Sequence, residues 1–152
     1  MKTIYHLFLG LFLITIVISC SNKAAEELAK EDTLYKEIMA VHDEVMPRMS
    51  EIESSKRQLL DYKKDWPKGT DSIFLMKMPQ FLDGLNEASD EMMDWMHNFK
   101  TKESWSDTGT YLQYLTKERV SIKWVKITMR NSIDEAKYML RLISGEEKFE
   151  GK

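Results

Sequence analysis

Apolar residues recur along most of the chain at steps of three, four and seven, the spacing of one face of an α-helix. Three segments carry this pattern, with polar segments between them. The first stripe comprises Leu34, Ile38, Val41, Val45, Ile52, Leu59, Tyr62 and Trp66. Pro47 lies within it. Because the stripe continues beyond this proline, the pattern predicts a kinked helix rather than a helix end.

The second stripe is the most regular of the three. Its steps alternate between three and four, and a second apolar row runs beside it at steps of seven. The stripe is Leu75, Met78, Leu82, Leu85, Ser89, Met92, Met96 and Phe99, and the second row is Phe74, Phe81, Ala88 and Trp95. A turn is predicted at residues 66–71, where proline and glycine occur together. Pro79 leaves two starts open for this helix, near Ser72 or near Pro79.

The third stripe follows a polar segment at residues 100–109. It comprises Leu112, Leu115, Ile122, Met129, Ile133, Ala136, Leu140 and Ile143. Thr110 and Gln113 have the spacing of a capping box, which predicts the start of the helix. Gly145 is typical of a helix stop.

Together the three stripes predict an all-α fold, an antiparallel up-down-up three-helix bundle with long helices. The chain has 152 residues, with 6 Gly and 3 Pro, so it has few places to turn and is predicted to form one domain. Val120, Trp124 and Ile127 widen the third apolar surface beyond what a three-helix core covers. A dimer through this row is one alternative, and the oligomeric state stays open.

The first twenty residues have the pattern of a bacterial lipoprotein signal. Lys2 precedes an apolar run of about a dozen residues, shorter than the roughly 20 that a membrane span needs. The run ends at Val17-Ile18-Ser19-Cys20, which resembles a lipobox, and Cys20 is the single cysteine of the chain. We therefore expect lipidation of Cys20 and a membrane anchor. The predicted organisation is a signal peptide (1–19), lipidated cysteine and tether (20–33), helical bundle (34–145) and C-terminal tail (146–152).

Charge and motifs argue against two classes of function. The net charge of −3 provides no basic field for nucleic acid. The sequence contains no P-loop, zinc motif or nucleophile elbow, and Asp94-x-x-His97 is a single, altered copy of a motif that carboxylate di-metal bundles use twice. The sequence therefore predicts a protein that is not an enzyme.

One group of residues has candidate chemistry. Met39, His42, Met46 and Met49 are spaced three, four and three apart and so share a helical face. The second helix has a dense Met/His segment at residues 92–97. In an antiparallel hairpin that turns near Gly69, the numbers of two residues that lie side by side on the two helices add up to about 138. His42 is therefore predicted to lie beside Met96.

Thioether and imidazole groups in this arrangement suit a soft metal such as Cu(I). The candidate ligands are Met39, His42, Met46, Met49, Met93, Met96 and His97. Met92 and Met96 also belong to the packing stripe, and methionine often fills helical cores, so core packing is the competing interpretation. Haem ligation by a Met/His pair is a variant, although no C-x-x-C-H motif is present.

Three segments resemble a known family: residues 41–49 (VHDEVMPRM), 92–96 (MMDWM) and 132–137 (SIDEAK). It is a group of small Bacteroidota lipoproteins that often carry the label "viral A-type inclusion protein". The resemblance implies a helical fold and an envelope location, favouring the outer membrane of a Gram-negative bacterium, but no activity. Some members have a His-rich stretch after the lipidated cysteine and a His before the Met-Met pair; this chain has neither.

The sequence thus predicts a membrane-anchored lipoprotein that acts as a non-catalytic helical interaction or structural module, held to the membrane by its N-terminal lipid and with a protein partner as one option. The alternative is a periplasmic protein that binds Cu(I) or another soft metal. The two interpretations differ in whether the Met sulfur atoms and the His nitrogen atoms lie close together in the folded protein.

Overall fold

The computed structural model describes the backbone of residues 2–66 and 73–145 and the side chains of residues 23–66 and 73–145. Within these ranges every regular element is helical. The long helices are α1 (Lys2–Val45), α2 (Met49–Asp65), α3 (Ile73–Asn98) and α4 (Thr108–Ser144). Single turns of 3-10 helix lie at Met46–Arg48 and Lys102–Ser104.

The helices pack as the predicted three-helix bundle. The pair α1–α2 forms its first long arm, α3 the second and α4 the third, and α4 contacts α1, α2 and α3. The all-α bundle is therefore confirmed. The backbones of α1 and α3 approach each other less closely than either approaches α4, so long side chains are needed to fill the space between α1 and α3.

Two of the three prolines, Pro47 and Pro79, are accommodated in helical structure. At Pro47 the chain leaves α-helical geometry for one 3-10 turn and then continues as α2, so the proline interrupts the helical path without ending it, as predicted. Pro79 lies inside α3, which already begins at Ile73. The earlier of the two predicted starts is thus the correct one, and the exposed position of Pro79 leaves its ring free of the core.

The core is formed largely by the apolar stripes, but the residues that are buried do not coincide with the members of each stripe. In α3 the buried residues come from both predicted rows; they are Met78, Leu85, Ala88, Met92 and Trp95. In α4 they are Tyr111, Leu115, Ile122, Val125, Met129, Ile133, Ala136, Met139 and Leu142. The buried seam of α3 therefore runs between its two apolar rows, because α3 packs against two neighbouring helices at once.

The C-terminal cap of α4 is the predicted residue, and the N-terminal cap is a different one. Gly145 adopts the left-handed conformation at φ 79° and ends the helix, as predicted. The start is capped by Asp107 rather than by Thr110. Asp107 Oδ2 accepts from the backbone N–H of Thr110 at 2.8 Å, and Oδ1 accepts from that of Gly109 at 3.3 Å. The acidic cap lies three residues earlier and satisfies two free N–H groups.

The N-terminal part of the chain is described in less detail. Residues 23–33, within the predicted tether, are helical, and Glu31 is buried where its Oε1 accepts from Lys102 Nζ at 2.6 Å. The Cys20 side chain and residues 146–152 lie outside the described residues. Among the helices that are described, none is both long and apolar enough to cross a membrane.

Candidate functional sites

The side chains of His42 and Met96 meet between α1 and α3. The Nε2 atom of His42 lies 3.4 Å from the Sδ atom of Met96. The predicted level of these two residues is therefore confirmed. The imidazole is largely withdrawn from solvent, with 19% of its side chain exposed. This contact bridges α1 and α3, whose backbones approach each other less closely than either approaches α4.

The second imidazole nitrogen of His42 is held by its neighbour in the sequence. Nδ1 lies 2.9 Å from Asp43 Oδ1. A carboxylate accepts hydrogen bonds and does not donate them, so this contact assigns the proton of the neutral ring to Nδ1. Nε2 then presents its lone pair towards Met96. Histidines that bind metal ions commonly donate their second ring N–H to a carboxylate in this way.

An aromatic cluster extends from this contact to the end of the bundle, and the sequence pattern alone did not predict it. Its ring contacts begin at His42 and Trp95, whose ring centroids are 5.9 Å apart, and continue from Trp95 to Phe99 at 4.9 Å. The Nε1 atom of Trp95 is buried without a hydrogen-bond partner among the described residues. The cluster gives the His42 site an apolar, water-poor wall on one side.

The remaining predicted metal ligands divide into two groups. Met46, in the 3-10 turn, and Met49, the first residue of α2, are half-buried and pack against the core, and Met39 is half-buried on α1. By contrast, the Met93 side chain is 50% exposed and His97 is also exposed. The structure therefore brings His42 and Met96 into contact, and it leaves Met93 and His97 exposed on α3.

The donor atoms at this site are of the soft type. Within the described residues, no group of three or more His, Cys, Asp or Glu side chains could hold a metal ion. Sites for zinc are built mainly from those residues, whereas thioethers select Cu(I) and similar ions. The Met/His arrangement can therefore act on a soft cation or serve as packing, but its donor set does not fit a zinc site.

A second feature lies on the outer face of α4. Val120, Trp124 and Ile127 are 52%, 64% and 46% exposed. They follow each other at helical steps of four and three, so they form one row that we call the outer row. The sequence predicted that this row exceeds what the bundle can cover, and its exposure confirms that. Three adjacent exposed apolar residues, one of them a tryptophan, are typical of a contact surface.

An acidic groove between α3 and α4 runs beside the outer row. It has a volume of about 410 Å³, and Glu91, Asp94, Glu118 and Trp124 are among its lining residues. Burial raises the pKa of Glu118, and the nearby Trp95 indole offsets part of that rise. The two side chains are close, but the indole N–H does not reach hydrogen-bond geometry with a partner. Within the described chain these three carboxylates form no ion pair.

On the side of α4 that faces α1, basic side chains pair with acidic side chains of α1. Arg119 pairs with Glu37 at 3.2 Å, and Lys126 pairs with Glu44 at 2.6 Å. A larger groove of about 510 Å³ lies between α2 and α4, and its main charged groups, Glu51 and Lys137, also pair with each other. The acidic groove therefore stands out because its charges lack partners of the opposite sign.

No protein-family model, no curated protein and no solved structure matches this chain. The resemblance of residues 41–49 and 92–96 to Bacteroidota lipoproteins accordingly stays a prediction.

Proposed function

We propose that this protein is a lipid-anchored module of the bacterial cell envelope that binds another protein through the outer face of α4 and catalyses no reaction. Its anchor is the lipid on Cys20, in the outer membrane. One observation supports the binding role: Trp124 is 64% exposed in the outer row, directly beside three unpaired carboxylates. An exposed tryptophan next to unpaired charges is the kind of residue that dominates protein interfaces.

The partner proposed for this surface is an amphipathic helix with basic residues along one edge. Its apolar stripe would cover Val120, Trp124 and Ile127, since helix-in-groove binding uses anchors at these steps. Its Lys or Arg side chains would meet Glu91, Asp94 and Glu118, and a cation beside Glu118 would offset the cost of burying that carboxylate. Charge complementarity thus selects a basic partner.

A second copy of the chain suits this surface less well. Two antiparallel copies of α4, related by a twofold axis perpendicular to the helix at Trp124, would bring their two acidic grooves onto one side of the interface. Like charges facing each other oppose association, so the electrostatics of α4 favour a different protein.

The test is site-specific photo-cross-linking in intact cells that produce the full chain. A photoreactive amino acid replaces Val120 in the outer row, and a control chain carries it at Leu60, which is 49% exposed on α2. Cross-linked segments are sequenced by mass spectrometry. We expect adducts from Val120 and not from Leu60, on a segment with helical apolar periodicity and a Lys/Arg-rich edge.

Two substitutions in the Val120 cross-linking chain test the surface itself. Trp124→Ala and Asp94→Lys should each lower the adduct yield at least about fivefold, while Asp61→Lys on exposed α2 should leave it unchanged. Adducts to lipid, to a second copy or to an acidic segment would contradict the proposal. So would a yield that is insensitive to Asp94→Lys.

A further inference from the structure

We infer that His42 and Met96 are two ligands of a binding site for the soft monovalent cation Cu(I), located between α1 and α3. This inference is independent of the outer face of α4, because it rests on a different pair of helices. Its basis is the 3.4 Å contact between Nε2 and Sδ. A proposed metal site requires donors that converge, a suitable distance and support behind the ligands.

The contact joins two atoms that both carry lone pairs. Asp43 accepts the Nδ1 proton of the neutral imidazole, so Nε2 has a free lone pair. The thioether sulfur of Met96 has no proton and can only accept. Two acceptors in contact are stabilised by a positive species shared between them. A proton on Nε2 would form an N–H···S bond, and a soft metal ion is the other candidate.

The distance suits a metal with more than two ligands. With bond lengths like those of zinc, about 2.0–2.1 Å to nitrogen and 2.3 Å to sulfur, the two donors would lie about 3.5 Å apart at a tetrahedral angle and about 4.3 Å apart in a linear site. The observed separation of 3.4 Å therefore corresponds to a bent arrangement. A bent site at this contact needs at least one further donor.

Two methionines near His42 in the sequence are candidates for that donor. Met39 lies on α1 three residues before His42, and Met46 begins the 3-10 turn four residues after it, so helical spacing keeps both near the His42 side of the chain. Both are half-buried. A methionine side chain is unbranched and adjusts readily. A set of one imidazole and two or three thioethers is soft and matches Cu(I) better than Zn²⁺ or other harder divalent ions.

The surroundings provide the support that a metal site needs. Asp43 fixes the orientation of the His42 ring from behind. Trp95 covers the ring at 5.9 Å, so the site has a wall of low polarity. Residues in this supporting position usually change metal affinity by about 10- to 100-fold when they are replaced.

The test is an anaerobic titration of the full chain in detergent micelles with Cu(I), in competition with a chromogenic Cu(I) chelator. We expect one ion per chain. Met96→Leu keeps the volume and removes the sulfur, and it should weaken binding at least about tenfold. His42→Leu should do the same, and Asp43→Ala should weaken binding about tenfold. The matched controls are Met93→Leu and His97→Gln, two exposed positions on α3 that should change affinity less than about twofold.

A second measurement does not depend on any variant folding well. With methionine methyl groups labelled by carbon-13, adding Ag(I) as a stable analogue should shift the Met96 resonance together with that of Met39 or Met46. The Met93 resonance should not move. If the wild-type chain cannot compete with the chelator, if the two control variants lose as much affinity as Met96→Leu, or if Met93 shifts and Met96 does not, the contact is an N–H···S bond in a packed core and the site does not exist.

Discussion

The Nε2 atom of His42 lies 3.4 Å from the Sδ atom of Met96, although 54 residues separate them in the sequence. The contact joins α1 to α3, two helices whose backbones approach each other less closely than either approaches α4. A leucine at position 96 would fill volume there but could not receive a proton or a cation. Met96 therefore differs from a methionine that only fills volume in the core, because its sulfur atom contacts a histidine nitrogen.

Met92 and Met93 are neighbours in the sequence with opposite surroundings, 0% and 50% exposed. Replacing Met92 by Ala leaves a cavity in the core and should lower the free energy of unfolding by about 2–5 kcal/mol. Met93→Ala should change it by less than about 0.5 kcal/mol. Urea denaturation followed by tryptophan fluorescence measures both. Equal effects would mean that α3 is rotated about its axis relative to the structure described here.

Two glycines should respond to alanine in opposite directions. Gly84 lies inside α3, and a Cβ there would meet Ser132 Oγ at an ordinary 3.6 Å. Gly84→Ala should therefore stabilise the protein by about 0.5–1 kcal/mol through helix propensity. Gly145 has φ 79°, and Gly145→Ala should destabilise it by about 1 kcal/mol because a side chain is strained there. Thermal unfolding of the two variants compares them directly, and a gain in Tm for both would argue against the left-handed cap.

Glu118 should make stability depend on pH. Burial raises its pKa above the ordinary value of 4.5, so the folded protein holds this proton more tightly than the unfolded chain does. Stability from this group is then present below the ordinary value and is lost as the pH rises through the raised pKa. Glu118→Gln should accordingly raise Tm at pH 7 and give no gain below about pH 4.

The matched variant for this experiment is Glu87→Gln, an exposed carboxyl on α3. It should not change Tm at either pH. If Glu118→Gln lowered Tm at pH 7, the Glu118 carboxylate would be paired in the native protein. The acidic groove would then not offer an unpaired carboxylate to a basic partner.

Cys20 should carry the membrane anchor. Cys20→Ala should abolish incorporation of a labelled fatty acid and move the protein from the membrane fraction to the soluble fraction, because the acyl chains provide the membrane affinity. The matched control is Ser21→Ala, which changes the next residue of the chain and should leave both the labelling and the membrane fraction unchanged. Fatty-acid labelling that persists in Cys20→Ala would contradict the lipoprotein proposal.

Much of the fold was predictable because it depends on local periodicity. The three apolar stripes, the irregularity at Pro47 and the stop at Gly145 each follow from backbone and side-chain properties of neighbouring residues. The level of His42 with Met96 was also predictable, since the length of a helical hairpin follows from residue number and a constant rise per residue. The start of α4 was misplaced at Thr110 because Asp107, a stronger cap, lies just before it.

What the sequence determined by itself is therefore the set of helices, their order and the residues that could meet. The tertiary structure decided which of them do meet. Met93 and His97 belong to the same segment as Met96, yet they lie outside because the rotation of α3 depends on packing against α4 and the α1–α2 arm together. The same packing leaves Glu91, Asp94 and Glu118 without cations beside the exposed Trp124. Helix rotation is a property of the whole core, and no single stripe of sequence specifies it.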